Sequence, residues 1–250
     1  MQWTASFAAA GRIRAIPAQS DQAHHECAAY TACSNLINRF QARAWAMTFT
    51  VKSVEQLEQI YGEPHERAVW KEIDCLNSDY QAFVRASPFA VLSSVGAGGT
   101  DCSPKGDAAG FVQVLDERTL ALPDRPGNNR IDSLKNIVTD PRVSLLFLVP
   151  GVGETLRVNG RAEISIDPEL LERFEVRGKL PRTVLIVHVE AAYFHCSKAL
   201  VRSALWDPQK HVDRASLPSA GDMHRRLSGG TFDGAQYDQE APERVMKGLY

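Results

Sequence analysis

Residues 154–166 read Glu-Thr-Leu-Arg-Val-Asn-Gly-Arg-Ala-Glu-Ile-Ser-Ile, and their alternation constrains the chain more than any other feature. Leu156, Val158, Ala162, Ile164 and Ile166 fall on one face. Thr155, Arg157, Asn159, Arg161, Glu163 and Ser165 fall on the other. A period of two sustained over this length is the pattern of a half-buried strand. The apolar run Val143–Val149 precedes it and ends at Pro150-Gly-Val-Gly153, a turn that folds the two segments into an antiparallel hairpin.

Further strands are expected at Phe89–Val95, Phe111–Leu115, Thr119–Leu122 and Thr183–Cys196. The first closes at Gly96-Ala-Gly-Gly99, read as a turn. Gly96-x-Gly98 is not a nucleotide loop, because its third glycine is misplaced and no helix follows. Short helices punctuate the strands. Ser53-Val-Glu-Gln56 has capping-box spacing, and Tyr61-Gly62-Glu-Pro64 supplies a stop, giving a helix over 54–61. A helical stretch then runs to about Ala86, with Pro88 ending it. Others are expected at about 130–138, at 168–174 with Asp167 as cap, at 197–204 with Ser197 as cap, and at the end over Glu240–Leu249. Ser228-Gly-Gly-Thr231 reads as a loop. Six or so mostly antiparallel strands with small helices predict an α+β barrel or sandwich.

Composition excludes several functions. The 28 Lys and Arg against 30 Asp and Glu leave a net charge of −2, so the chain carries no overall basic field for nucleic acid. The longest apolar stretch, Val143–Val152, is too short to cross a bilayer. The five cysteines, Cys27, Cys33, Cys75, Cys102 and Cys196, lack C-x-x-C spacing and point to neither a disulfide framework nor a structural zinc site. A reduced, cytoplasmic setting is expected. Residues 1–46 hold 13 alanines, four arginines and no lysine, with only Asp21 and Glu26 as acids. A transit peptide, a disordered arm and a start at Met47 all fit that composition. Organised sequence begins just after Met47, which favours the last, with 47–208 as one domain and 209–250 as an extension packing on it.

Three segments combine residues suited to chemistry: Asp101–Asp107, Pro123–Arg130 and His195–Arg202 followed by Trp206. The middle one leads from a strand into a helix. Gly127 permits a tight turn, Asn128 or Asn129 can cap the helix, and Arg125 and Arg130 put cations at its N-terminus. Cations there oppose the helix dipole unless an anion is bound, which points to a phosphate or carboxylate ligand. Ser103 and Lys105 lie in the first segment, expected as a loop. Lys198 and Arg202 are one helical turn apart in the third. Together the segments offer cations, hydroxyls and amides with few carboxylates, suiting a flat organic anion. His188 is expected to be a packed or edge residue. Cys102 and Cys196 lack an activating base and are not expected to be nucleophiles, and His195 is open between substrate contact and structure.

From Ser87 to Pro208 the chain resembles the pyridoxamine 5′-phosphate oxidase-like FMN-binding split-barrel proteins. The resemblance rests on Ser103–Asp107, Pro123–Ile137, Leu145–Ala162 and His195–Pro208, in that order. It implies a mainly antiparallel, six-stranded split barrel with FMN in the cleft between the subunits of a homodimer. It also implies a flavin-dependent oxidoreductase that moves hydride between FMN and a small organic or nicotinamide substrate. The alternatives are a flavin- or haem-binding protein without turnover and a deazaflavin-dependent reductase. By position, Asp124, Arg125, Asn128, Asn129 and Arg130 correspond to the turn that grips the FMN phosphate, where the oxidase has a Ser-Arg-Lys cluster. Ser103 and Lys105 fall near the strand pair that meets the flavin ring and ribityl chain. Arg157 and Asn159 lie on the strand that reaches across the dimer, and Lys198, Arg202 and Trp206 in the region that closes over the flavin. The oxidase's substrate-binding Arg-x-His has no counterpart here, so the resemblance does not carry that substrate.

Overall fold

The computed structural model describes residues 49–250; the segment 1–46 lies outside the described residues. Seven strands form one antiparallel sheet: β1 (Phe89–Gly96), β2 (Gly99–Gly106), β3 (Gln113–Asp116), β4 (Thr119–Asp124), β5 (Arg142–Leu148), β6 (Thr155–Ser165) and β7 (Thr183–His195). Their spatial order is β2-β1-β5-β6-β7-β4-β3. The alternating segment is β6. It pairs β5 through the anticipated hairpin, Leu148 opposite Thr155, and β7 on its other side.

The seventh strand corrects the expected six, and it is the segment read as a loop. Residues 99–106 pair with β1 across the two-residue turn Ala97-Gly98, Ser103 opposite Leu92 and Lys105 opposite Ala90. Their side chains are too polar to show an apolar period. Pro104 is tolerated because β2 is an edge strand, where no ladder bond is lost.

The sheet curls on itself. Leu92, Leu120, Leu145, Phe147, Leu156, Val158, Leu185 and Val187, from five strands, form a single cluster and are fully buried. Lys105 on β2 reaches Asp124 on β4 at 2.8 Å, although these strands stand first and sixth in the sheet order. A salt bridge rather than a hydrogen-bonded ladder spans that seam, so the barrel is split. Where β6 meets β7 the register shifts between Asn159 and Gly160, leaving Glu190 unpaired. This bulge sharpens the bend. A Cβ at Gly160 would lie 2.0 Å from the His188 carbonyl oxygen, which is why glycine stands there.

The helices are α1 (Val54–Tyr61), α2 (Glu66–Trp70), α3 (Ser78–Ala86), α4 (Asp132–Thr139), α5 (Pro168–Glu172), α6 (Lys198–Ser203), α7 (Ala220–Leu227) and α8 (Gly234–Lys247). In α1 the Ser53 hydroxyl accepts from the Gln56 amide, while the Gln56 side chain turns back to the Lys52 amide. The helical stretch before Pro88 is broken into α2 and α3. Asn77 caps α3 by accepting from the Tyr80 amide, and that new start is what divides them. Asp167 caps α5 as expected. Ser197 makes no side-chain cap on α6. Helix α3 buries Tyr80 and Val84 in the core, and α4 buries Ile137.

The residues fall into two compact units. The larger holds Tyr61–Leu217 and Glu240–Tyr250, and thus the whole sheet; the smaller holds Pro218–Gln239 and the described residues up to Ile60. Within the smaller unit, Gly221 donates its amide to Asp238, and Phe232, Tyr237 and His224 pack ring against ring. No helix among the described residues is long and apolar enough to cross a membrane.

Candidate functional site

The segment after β4 runs Arg125-Pro-Gly-Asn-Asn-Arg130 and enters α4 with no side-chain cap. Ile131 occupies the cap position at φ +52°, in the left-handed region that a β-branched residue seldom adopts. Neither asparagine caps α4. Asn128 instead accepts from the Arg130 amide at 3.0 Å, closing the preceding turn, and Asn129 accepts from Arg182 at 3.2 Å. The first intrahelical bond runs from the Lys135 amide to the Ile131 carbonyl. The amides of Asp132, Ser133 and Leu134 therefore have no protein acceptor among the described residues, and they open toward the loop.

A cavity of about 400 Å³ lies at this helix end, lined by the 124–134 segment, by Asp101, Ser103 and Lys105 of β2, and by Arg182 and Thr183. Strand pairing explains the convergence. Thr183 is the ladder partner of Asp124, and β2 reaches the same place across the seam. The Thr183 hydroxyl is buried and has no hydrogen-bond partner. A second cavity of about 540 Å³ adjoins the first, sharing Ser103, Lys105, Arg125 and Gly127, and is walled by Phe111, Pro123, Leu249 and Tyr250.

The charges here differ from expectation. Lys105, Arg125 and Arg130 are not left opposing the helix dipole alone, because each of the three has a carboxylate. Lys105 pairs with Asp124 at 2.8 Å and Arg130 with Asp132 at 2.7 Å. Arg125 pairs with Asp107 at 2.9 Å, donates to the Phe174 carbonyl at 2.8 Å, and lies 5.3 Å from the Tyr250 ring. Asp101, Asp124 and Asp132 all line the first cavity, so its carboxylates are not few. They were invisible as a group because they come from separate elements that only the curled sheet assembles.

Two of these acids are strongly held. Hydrogen bonding from Ser133, helped by Ser103, keeps the Asp101 carboxyl below the usual carboxylate range against a burial penalty. Burial pushes Asp107 upward, but donation from the Tyr250 hydroxyl, the Ala108 amide and Arg125 outweighs it and leaves the carboxyl low.

The candidate residues divide into two places. Ser103, Lys105, Asp124, Arg125, Asn128, Asn129 and Arg130 meet around the first cavity. Arg157, Asn159, Lys198, Arg202 and Trp206 line neither cavity. Arg157 and Asn159 alternate with buried Leu156 and Val158, so they face away from the core. Asn159 accepts from Ser144 at 2.8 Å, and Trp206 donates to the Val152 carbonyl at 2.8 Å. His188 sits 3.3 Å from Glu163 and is exposed on β7, which β6 and β4 flank, so it is neither packed nor at an edge. Cys102 and Cys196 are free and exposed. Ser133, Arg182, Thr183 and Tyr250 were not anticipated. Thr183 was findable from the pairing of β7 with β4, whereas Tyr250 carries no local signal.

The family model of pyridoxamine 5′-phosphate oxidase matches residues 76–196, from the core residue Leu76 before α3 to the end of β7. No curated protein has a matching sequence. Among solved structures, HupZ of Group A Streptococcus aligns at 20% identity over 46% of this chain and 90% of its own, with a TM-score of 0.39. General Stress Protein 26 of Bacillus anthracis aligns at 18% identity over 45% and 88%, with a TM-score of 0.32. A NimC/NimA family protein of Clostridium acetobutylicum aligns at 14% identity over 48% and 87%, with a TM-score of 0.35. The matched segment carries all seven strands of the split sheet, and over those residues the chain is similar to the pyridoxamine 5′-phosphate oxidase family.

Proposed function

We propose that the chain is an FMN-dependent oxidoreductase that binds the FMN phosphate in the cavity at the start of α4 and transfers hydride between FMN and a small organic or nicotinamide substrate. One observation carries this: three first-turn amides and the buried, unpartnered Thr183 hydroxyl converge on a cavity rimmed by Lys105, Arg130 and Arg182. A helix N-terminus with free amides favours an anion, and a buried hydroxyl without a partner costs free energy that an acceptor oxygen relieves. The donor set fits a phosphate. Its carboxylates are already satisfied, Asp101 by Ser103 and Ser133, Asp124 by Lys105 and Asp132 by Arg130. The adjoining second cavity offers room for the rest of a mononucleotide, and both fall in the range of small-molecule sites.

When bound, FMN supplies the redox chemistry, and the protein supplies binding, orientation and electrostatics. Lys105 and Arg130 offset phosphate charge, and Asp124 and Asp132 hold those side chains in place. The wall of Phe111 and Pro123 restricts water beside the second cavity.

The outward residues fit a homodimer. Phe89, Val91, Leu146 and Leu148 make an apolar patch on the outer face of β1 and β5, with Asn159 and Arg157 on the next strand. In a homodimer built on that face, Arg157 stands beside the flavin of the partner subunit.

The test is the visible spectrum of the purified protein, followed by FMN titration read by flavin fluorescence. Oxidised flavin absorption is expected, with bleaching on anaerobic addition of NADH or NADPH. The Lys105→Ala, Arg130→Ala double variant is expected to lose at least about tenfold in FMN affinity, the order of two charge-assisted hydrogen bonds. Unchanged affinity overturns the phosphate assignment, and a Soret band overturns FMN in favour of haem.

A further inference from the structure

A second concentration of positive charge stands on the outer face of the sheet, away from the cavity at α4. Arg157 of β6 lies opposite Tyr193 of β7 in the ladder, and its guanidinium sits 4.0 Å from the centre of that ring. The His195 ring lies 4.9 Å from the Tyr193 ring, tilted against it. Lys71 enters from the turn that ends α2, its ammonium 5.5 Å from the Tyr193 ring and 5.2 Å from that of Phe194.

The Lys71 backbone is held in place from two directions. The Tyr80 hydroxyl donates to its carbonyl, and two residues on, Ile73 and Ala192 exchange both backbone hydrogen bonds at 3.0 and 2.7 Å. The arrangement is therefore built by the fold rather than met by chance on a mobile surface.

What distinguishes the group is what it lacks. Lys105, Arg125 and Arg130 at the α4 cavity each have a carboxylate, yet among the described residues none of Lys71, Arg157 and His195 is paired with one. The Nε of Arg157 is buried without a hydrogen-bond partner. Burial, then Arg157 and Lys71, lower the His195 pKa; no anion enters that balance. Like charges gathered in a partly dry place with an orphaned donor are costly alone, and an oxyanion relieves both costs at once.

We propose that Lys71, Arg157 and His195, backed by the Tyr193 ring, form a second anion-binding site that takes the phosphate or carboxylate end of a small acidic organic substrate. That the molecule is a substrate rests on the oxidoreductase reading; the existence of the site does not. An anion on Arg157 meets Nε and Nη donors in a fork, with Lys71 adding a point charge and His195 a ring N–H.

The experiment follows the His195 ring resonances by NMR in the full-length protein, with inorganic phosphate as one probe and succinate as the other. A saturable shift with either probe is expected, together with a rise in the His195 pKa, because the anion offsets the two cations that hold it down. Phosphate affinity therefore increases as pH falls toward about 6.5, the ordinary imidazole value. Response to phosphate alone assigns a phosphorylated substrate, and response to both assigns the broader acid class. Arg157→Gln is expected to weaken binding at least about tenfold. Lys71→Gln weakens it by a smaller factor and leaves FMN titration by fluorescence unchanged. An unshifted His195 resonance in high phosphate and succinate overturns the site. So does dissociation of an oligomer by Arg157→Gln in the absence of any small anion, because the group would then be meeting an acidic side chain of a second copy. FMN binding measured on the same sample separates failure of this site from failure of the flavin assignment.

Discussion

At the residue scale, the site is organised by carboxylates as much as by cations. Asp107 is the clearest case. Its side chain is 5% exposed, and it receives Arg125 at 2.9 Å and the Tyr250 hydroxyl at 2.7 Å. Replacing it with asparagine keeps the shape but strands the Arg125 guanidinium, itself only 16% exposed. Breaking a buried pair by removing one partner costs about 3 kcal/mol, far more than the net worth of the intact pair. Asp107→Asn is therefore expected to lower the urea unfolding midpoint with an unchanged slope. The pH dependence has a defined sign. The folded-state pKa of Asp107 lies below its unfolded value of about 3.9, so its contribution is fully present above that value. It is lost as pH falls through the lower folded value. The stability gap between wild type and Asp107→Asn should be constant near neutrality and narrow below about pH 4; a gap independent of pH down to acid unfolding refutes the assignment. None of this was legible from the sequence. Asp107 closes the Ser-Pro-Lys-Gly-Asp segment, but its partners come from positions 125 and 250, joined to it only by folding.

At the element scale, legibility followed the solvent contrast across each strand. Strands β1, β5, β6 and β7 each bury one face and show it as an apolar period, and they were placed to within a residue or two. Strand β2 has polar side chains throughout and hides in the same sheet. The bulge opposite Gly160 was equally hidden, because it inserts Glu190 into β7 and leaves the alternation of β6 intact. Its requirement is steric. A methyl group at residue 160 would meet the His188 carbonyl oxygen at 2.0 Å, and this oxygen belongs to the paired strand rather than to a flexible side chain. Gly160→Ala must then open the β6–β7 ladder locally, at a cost on the order of 3 kcal/mol, near the upper end for single substitutions. The expected result is a thermal midpoint lowered by several degrees, with hydrogen exchange accelerated at residues 158–162 and 187–191 and little changed at β1–β2. Uniform acceleration across the sheet would instead mean a global effect without a local opening.

At the scale of the whole molecule, a single chain keeps the two proposed sites apart: the cavity at the β2–β4 seam and the Arg157 group on the outer face. Neither residue set can serve the other's ligand within one chain, since Arg157 points away from the core and lines neither cavity. A homodimer resolves this if the outer face of β1, β5 and β6 is the interface, because the partner's Arg157 then approaches from outside. The face is suited to it. Val91 lies opposite Leu146 and Phe89 opposite Leu148, an apolar patch bordered by Ser93 and Ser144 and then by Asn159 and Arg157. Leu146 sits centrally, between Val91 on β1 and Arg157 on β6, and it takes no part in the barrel interior. Leu146→Arg therefore leaves the fold of each chain intact while placing an unpaired charge at the centre of the interface, where desolvating it costs several kcal/mol. Sedimentation velocity is expected to find the wild type as a dimer and the variant as a monomer with an unchanged circular dichroism spectrum. If the flavin is shared across the interface, the monomer also loses at least about tenfold in FMN affinity despite an untouched α4 cavity. A variant that stays dimeric places the interface elsewhere. A monomeric variant with full FMN affinity removes Arg157 from the flavin and leaves it to the acidic substrate alone.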